Sequence, residues 1–194
     1  MLNASRKGLN ESSYDEGRNV AIEYRWAEEQ LDVTGMEEGQ LNRTKVFISY
    51  SHDDEAWRRG MCTHLQVLEK QGLLQCCDDT FITAGEEWRE RIHAMLSEAQ
   101  VAVLLVSAHF LSSDFIQDEE VPALLRRHQQ DGMVMVPVMV RPCTWKEVAW
   151  LARMQIRPRE ARPLSSGDAD QIDRDFSEIA TEVLEIIRSK GVMR

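Results

Sequence analysis

The sequence predicts an α/β domain built on a parallel sheet wound in both directions, with helices on both faces. Three observations predict it. From residue 45 onward, short apolar runs alternate with stretches of helical periodicity. Two of the runs, 101–106 and 133–140, are apolar almost throughout, as strands buried on both faces require. Composition is globular, with 43% hydrophobic and 29% charged residues over 194 positions, which suits one domain plus an extension.

The elements follow in order. Val46 to Tyr50 is a short apolar strand, and Asp53 and Asp54 are suitable caps for the helix after it. In that helix Trp57, Met61, Leu65 and Leu68 recur at helical spacing, and Gly72 ends it. Leu73 to Cys77 is the second strand, followed by a loop from Asp78 to Glu86. Trp88, Ile92, Met95 and Ala99 mark the second helix, and Val101 to Val106 the third strand. A third helix runs through Leu124 and Leu125 to about Gln130, and Met133 to Val140 is the fourth strand. Trp145 to Met154 reads as a short helix, and 157–170 as a loop with a small edge strand near Leu164. Ile172, Phe176, Ile179, Val183 and Ile186 define a long last helix. Right-handed crossovers favour a flavodoxin-like, doubly wound order. Ligands then sit beyond the carboxyl ends of the strands, among residues 49–54, 78–86, 107–120 and 140–145.

Residues 1–44 form an N-terminal extension distinct from the domain at 45–190. The extension is polar and broken by Gly8, Gly17, Gly35 and Gly39. Within it Val20, Ile22, Tyr24 and Trp26 alternate with smaller or polar residues, which is strand periodicity; a short helix or an unstructured tail are the alternatives. Residues of about 8–32 resemble a fragment of ABC-transporter substrate-binding proteins, a match too short for a binding lobe and no sign of transport.

The formal charge of −10 disfavours nucleic acid as a partner, because such a surface repels phosphate backbones. It does not exclude a nucleotide held in one small site. No run approaches the roughly 20 apolar residues of a membrane helix, and the first residues carry no secretory signal. Cys62, Cys76, Cys77 and Cys143 lack zinc spacing and read as reduced thiols, so the expected setting is cytoplasmic, without membrane or metal.

Four segments in order carry a family resemblance: Val46 to Asp54 (VFISYSHDD), Asp79 to Trp88 (DTFITAGEEW), Val103 to Pro122 (VLLVSAHFLSSDFIQDEEVP) and Pro137 to Trp145 (PVMVRPCTW). Together they make residues 45 to about 188 similar to a TIR (Toll/interleukin receptor) domain of the prokaryotic type. The second segment resembles the family's mobile BB loop. There are departures: Cys77 and Phe115 stand where the family often has Trp, and Thr80 where it often has Arg. They bear on ligand contacts and leave the glutamates in place.

The resemblance implies an NAD⁺ glycohydrolase that cleaves the nicotinamide–ribose bond and releases ADP-ribose or a cyclic isomer, in bacterial defence or stress signalling. NAD⁺ is then a substrate, and no cofactor is expected. The implied partners are further copies of the domain, through TIR–TIR contacts, and a downstream effector protein. The chemistry asks for one carboxylate, which stabilises an oxocarbenium-like ribose as the cationic nicotinamide leaves.

Glu119 and Glu120 both qualify. Pro122 belongs in the first helical turn, so both acids lie near a helix N-terminus, where the dipole favours carboxylates. Glu120 lies four residues before Leu124, at the margin of the buried face, whereas Glu119 precedes the more exposed path of Ala123 and Arg126. Glu120 is therefore the preferred catalytic acid, with Glu119 beside it in the substrate-binding set; counting from the aromatic Phe115 favours Glu119. Phe115 is a candidate for stacking on nicotinamide, or for core packing. Phe47, Ser49, Tyr50 and Ser51, at the end of the first strand, are candidates for phosphate or ribose contacts, or form a turn after a buried strand. Phe81 and Ile82 give the loop ending at Gly85 an apolar tip, suited to a lid or a protein contact.

Two other function classes compete. A non-catalytic TIR adaptor would act by self-association alone. A receiver-like phosphorylation domain would use Asp53 and Asp54, but Ser107 stands where its acceptor aspartate is needed.

Overall fold

The computed structural model describes residues 43–77 and 88–191. The segment around 19–28, the substrate-binding-protein resemblance at 8–32 and the apolar loop tip at Phe81 and Ile82 lie outside the described residues. The described residues belong to the unit that spans Arg43–Arg194.

Four parallel strands form the sheet: β1 (Thr44–Ser49), β2 (Leu74–Cys77), β3 (Val101–Val106) and β4 (Val134–Met139), in the order β2-β1-β3-β4. This is the doubly wound α/β order expected. Each strand sends alternate residues to opposite faces. Val46, Ile48, Val103, Leu105, Val136 and Val138 enter one apolar cluster, and Phe47, Ala102, Leu104, Met135 and Met139 the other. All six residues of β3 are buried, which is why its sequence is continuously apolar instead of alternating.

Helices α1 (Glu55–Lys70) and α5 (Ala169–Gly191) cover the first face. Met61, Cys62 and Leu65 of α1 meet Phe176, Ile179 and Val183 of α5 over the strands. The two helices approach closely at Gly60, where an added Cβ would lie 2.6 Å from Phe176 Cε2. At the end of α1, Gly72 takes φ +71°, and its amide and that of Leu73 bond to Glu69 O and Leu68 O. A left-handed residue there closes the helix, which glycine allows without Cβ strain. Helices α2 (Trp88–Glu98), the short α3 (Ala108–Ser112) and α4 (Val121–Gln130) cover the second face. Ile92, Leu96, Phe110 and Leu124 are its buried contributions.

Two expectations are corrected. Trp145 to Met154 forms two separate 3₁₀ turns, Trp145–Glu147 and Leu151–Arg153. Only part of that stretch has a packing surface, with Leu151 fully buried and Trp145 half-buried. Near Leu164 there is no strand but a 3₁₀ turn, Leu164–Ser166. The contact to the sheet edge comes earlier, as a single parallel bridge between Arg157 and Val138. Pro158 and Pro163 flank the intervening segment, and prolines cannot donate to a ladder.

No described helix is long and apolar enough to cross a membrane.

Candidate active site

The polar interior of the domain collects at the carboxyl ends of the strands. β1 ends in Ser49, which is 1% exposed. On the far side of the second cluster, the chain after α3 makes a π-helical turn, Ile116–Glu120, that runs directly into α4. Pro122 sits in the first turn of α4, as its missing amide hydrogen favours. Ile116, Val121 and Leu124 bury the apolar side of this junction, and that anchoring turns Glu120 inward. Ser49 Oγ donates a hydrogen bond to Glu120 Oε2 at 2.5 Å, joining positions 71 residues apart. Glu120 is 6% exposed. A carboxylate that far from water costs stability unless hydrogen-bonded, and a bond to a charged group is worth about 1.5–3 kcal/mol.

Glu119 points elsewhere. It is half-buried, and its Oε2 lies 3.6 Å from His93 Nε2 on α2. The two adjacent acids therefore have different surroundings, as their helical spacing implies. Phe115, at the head of the π-helical turn, is half-buried against the second cluster.

The other candidates from the first strand divide between the faces. Phe47 shares a face with Ser49, is 1% exposed and lies within the second cluster. Tyr50 turns to the opposite face. It is 8% exposed, with Arg58 stacked 5.6 Å from its ring centroid and His52 edge-on at 5.8 Å. Arg58 also grips Glu55 through two bonds, at 2.8 and 2.6 Å. That guanidinium, with a bond from the Tyr50 hydroxyl, holds the Glu55 carboxyl below its ordinary value despite some desolvation. Tyr50 is thus part of a brace on α1, on the far side of the sheet from Glu120. Ser51 is half-exposed in the turn, where its carbonyl accepts the Asp54 amide at 2.7 Å.

A second polar group was not legible in the sequence. Asp54 occupies the N-cap position of α1, but its carboxylate makes no capping bond. The reason is tertiary: Asp54 is fully buried, and its Oδ2 accepts a hydrogen bond from Ser107 Oγ across the ends of β1 and β3. Ser107 Oγ in turn accepts the Phe110 amide at 3.1 Å and so caps α3. Arg141, just past β4, brings its Nε to 3.0 Å from Asp54 Oδ1. That contact is one of charge, since Oδ1 accepts no aligned hydrogen bond. The sequence offered one hint, the placement of Asp54, Ser107 and Arg141 each just after a strand.

Residues 46–177 match the family model described as a TIR domain. The chain belongs to the TIR-domain family. It is 31% identical over 140 residues to the uncharacterized protein y4lF of Sinorhizobium fredii. That match covers 72% of this chain and 42% of the relative, so the chain spans less than half of that protein's length. Among solved structures it is similar to the TIR domain of the Toll-related receptor TRR-2 from Hydra magnipapillata, with 20% identity and a TM-score of 0.45, over 57% of this chain and 80% of that one. It is also similar to the TIR domains of the activated Roq1 resistosome that recognizes the pathogen effector XopQ. There the identity is 21% and the TM-score 0.44, over 71% of this chain and 84% of that one.

Proposed function

We propose that this TIR domain cleaves NAD⁺ at its nicotinamide–ribose bond, with Glu120 as the central carboxylate. One observation carries the reading: Glu120 is withdrawn from water and oriented by Ser49 at the carboxyl end of a doubly wound sheet, where such folds bind ligands. Family membership supports it.

In the reaction, the C1′–N bond breaks and its electron pair leaves with nicotinamide, which becomes neutral. Positive charge moves to the ribose, and an ionised Glu120 stabilises it; in a low-dielectric site that interaction is stronger than in water. Water then attacks C1′ and loses a proton to Glu120, which passes it to solvent. The products are nicotinamide, ADP-ribose and a proton. Attack by the substrate's own adenine in place of water gives the cyclic isomer. Ser49 fixes one carboxylate oxygen in place; Phe115 and Ser51 stay as proposed ligand contacts, and Glu119, turned to His93, stands apart from the pair.

The test is incubation of the purified chain with NAD⁺ and chromatography of the products. Wild type releases nicotinamide, and Glu120→Gln and Glu120→Ala do not, while thermal melts show both variants folded. Equal turnover in wild type and Glu120→Gln removes the assignment.

A second reading, a scaffold acting by self-association alone, is favoured by the same burial. A Ser–Glu pair closed away from solvent also serves as a plain brace between β1 and α4. Under that reading wild type and Glu120→Gln are equally inactive and differ only in stability. Self-association also belongs to the enzymatic reading, with the loop around Phe81 at the contact. Specific activity then rises with protein concentration, and Phe81→Ala lowers it; a flat profile from a sedimenting monomer removes the assembly.

A further inference from the structure

We propose that Arg141 is a binding residue for the pyrophosphate of the dinucleotide, and that Asp54 positions its guanidinium. This rests on the reading of the domain as one that acts on NAD⁺, and it extends the site from β1 and α4 across the sheet to β4.

The observations begin with Asp54. A carboxylate that is 0% exposed is expensive, and it persists only where partners compensate it. Ser107 satisfies one oxygen. The other has a charge beside it but no aligned hydrogen bond. Arg141 is 44% exposed, set at the rim with one edge on the Asp53–Asp54 turn: Nε lies near Asp54 Oδ1, and Nη2 is 3.5 Å from the carbonyl oxygen of Asp53. A guanidinium carries five N–H donors in a planar fork, so those on the outer edge remain for another acceptor. A buried aspartate behind an exposed arginine holds the fork at one angle, which lowers the entropy lost on binding.

The position fits a diphosphate. The contact lies at the carboxyl ends of β1, β3 and β4, where the strand order reverses and nucleotides bind in doubly wound sheets. β4 is two strands from β1, about 10 Å at the usual strand spacing. A nucleotide with its ribose at Glu120 can span that distance to its pyrophosphate. Of the two arginines early in α1, Arg58 is committed to Glu55 and Tyr50 and is 9% exposed, and Arg59 is exposed and lies 3.8 Å from Glu55. The exposed Asp53 carboxylate lies 3.4 Å from His109 Nδ1. In a chain of charge −10, a fixed cation at this rim gives a phosphate-bearing substrate one attractive landing point.

The experiment uses the full chain with ADP-ribose as the binding probe, and NAD⁺ and nicotinamide riboside as substrates. Arg141→Gln should weaken ADP-ribose binding about tenfold or more, the scale of one charge-assisted contact. KM for NAD⁺ should rise by a similar factor with kcat nearly unchanged. Turnover of nicotinamide riboside, which has no phosphate, should stay within about twofold of wild type, because the lost contact is absent from that substrate. Arg141→Lys keeps a counter-charge for Asp54 but loses the fork; it should fold like wild type and recover only part of the binding. Unchanged ADP-ribose affinity in folded Arg141→Gln or Arg141→Lys overturns the proposal, as does an equal loss on the riboside or no ADP-ribose binding by wild type. If wild type binds ADP-ribose through Arg141 but does not cleave NAD⁺, the glycohydrolase reading fails and the phosphate site stands.

Discussion

The two ends of the sheet treat polar groups in opposite ways. At the carboxyl ends of the strands, Ser49, Asp54, Ser107 and Glu120 are buried and bonded in pairs across the molecule. At the amino ends, Lys45 and Glu98 form an ion pair at the surface, Gln100 receives the Lys45 amide at 2.6 Å, and Lys190 reaches the carbonyl of Gly132. The amino end closes the domain with contacts that water can replace. Three carboxylates are buried among the described residues, Asp54, Glu120 and Asp175, and Asp54 and Asp175 each face an arginine, an arrangement that apolar residues of similar volume often match or better in stability. The contrast between the ends is therefore one of burial, and it can be tested by variants at each end.

The largest expected effect separates the ends by function. Glu120→Ala should reduce NAD⁺ cleavage by about 10²–10³-fold, as loss of one preorganised electrostatic group does. Glu119→Ala should retain a measurable part of the activity, because Glu119 faces His93 instead of the buried pair. Product assays on both variants at matched folded fraction check this, and equal losses would merge the two acids into one role.

The next effect is on folding. Asp54→Ala should destabilise the domain by about 1–3 kcal/mol, because Ser107 loses its buried acceptor and Arg141 its counter-charge. Denaturant melts read it directly. A change within about 0.5 kcal/mol, the range of ordinary surface substitutions, would show that the carboxyl-end pairs are energetically idle.

Lys45→Ala at the opposite end should cost less than about 1 kcal/mol, since both partners of its ion pair are partly exposed. Added salt should shrink that difference further. A cost as large as that of Asp54→Ala would erase the contrast between the ends.

The smallest effect is a pH dependence at the amino end. The Lys45 ammonium, by hydrogen bond and charge, holds the Glu98 carboxyl below its ordinary value. A folded value below the unfolded one, which is about 4.3, means that this contribution is present above that pH. It is lost as pH falls through the folded value. Acid melts of Lys45→Ala and wild type should therefore converge as pH falls below the usual carboxylate range, from a difference of only a few tenths of a kcal/mol for so exposed a pair. Curves that diverge on acidification would reverse the sign and refute the pairing.

The sequence by itself determined the four strands, the long helices α1 and α5, and the alternation that makes the sheet parallel. Those features are local, because an apolar run or a 3.6-residue period is written in neighbouring positions. It also separated Glu119 from Glu120, since one helical step of about 100° sends adjacent side chains to different surroundings. Other features depended on what packs nearby. The 3₁₀ turns after β4 carry mixed apolar and polar residues whose period does not show which of them reach the core. Asp54 has the signature of a helix cap, and nothing adjacent to it says that its carboxylate will turn to Ser107, 53 residues away. Ser49 and Glu120 are 71 residues apart, and Arg141 reaches Asp53 across 88. Such partners are chosen by strand order and by the angle at which each chain leaves the sheet, so the tertiary structure alone decided that Asp54 is buried and which residues Asp54 and Glu120 meet.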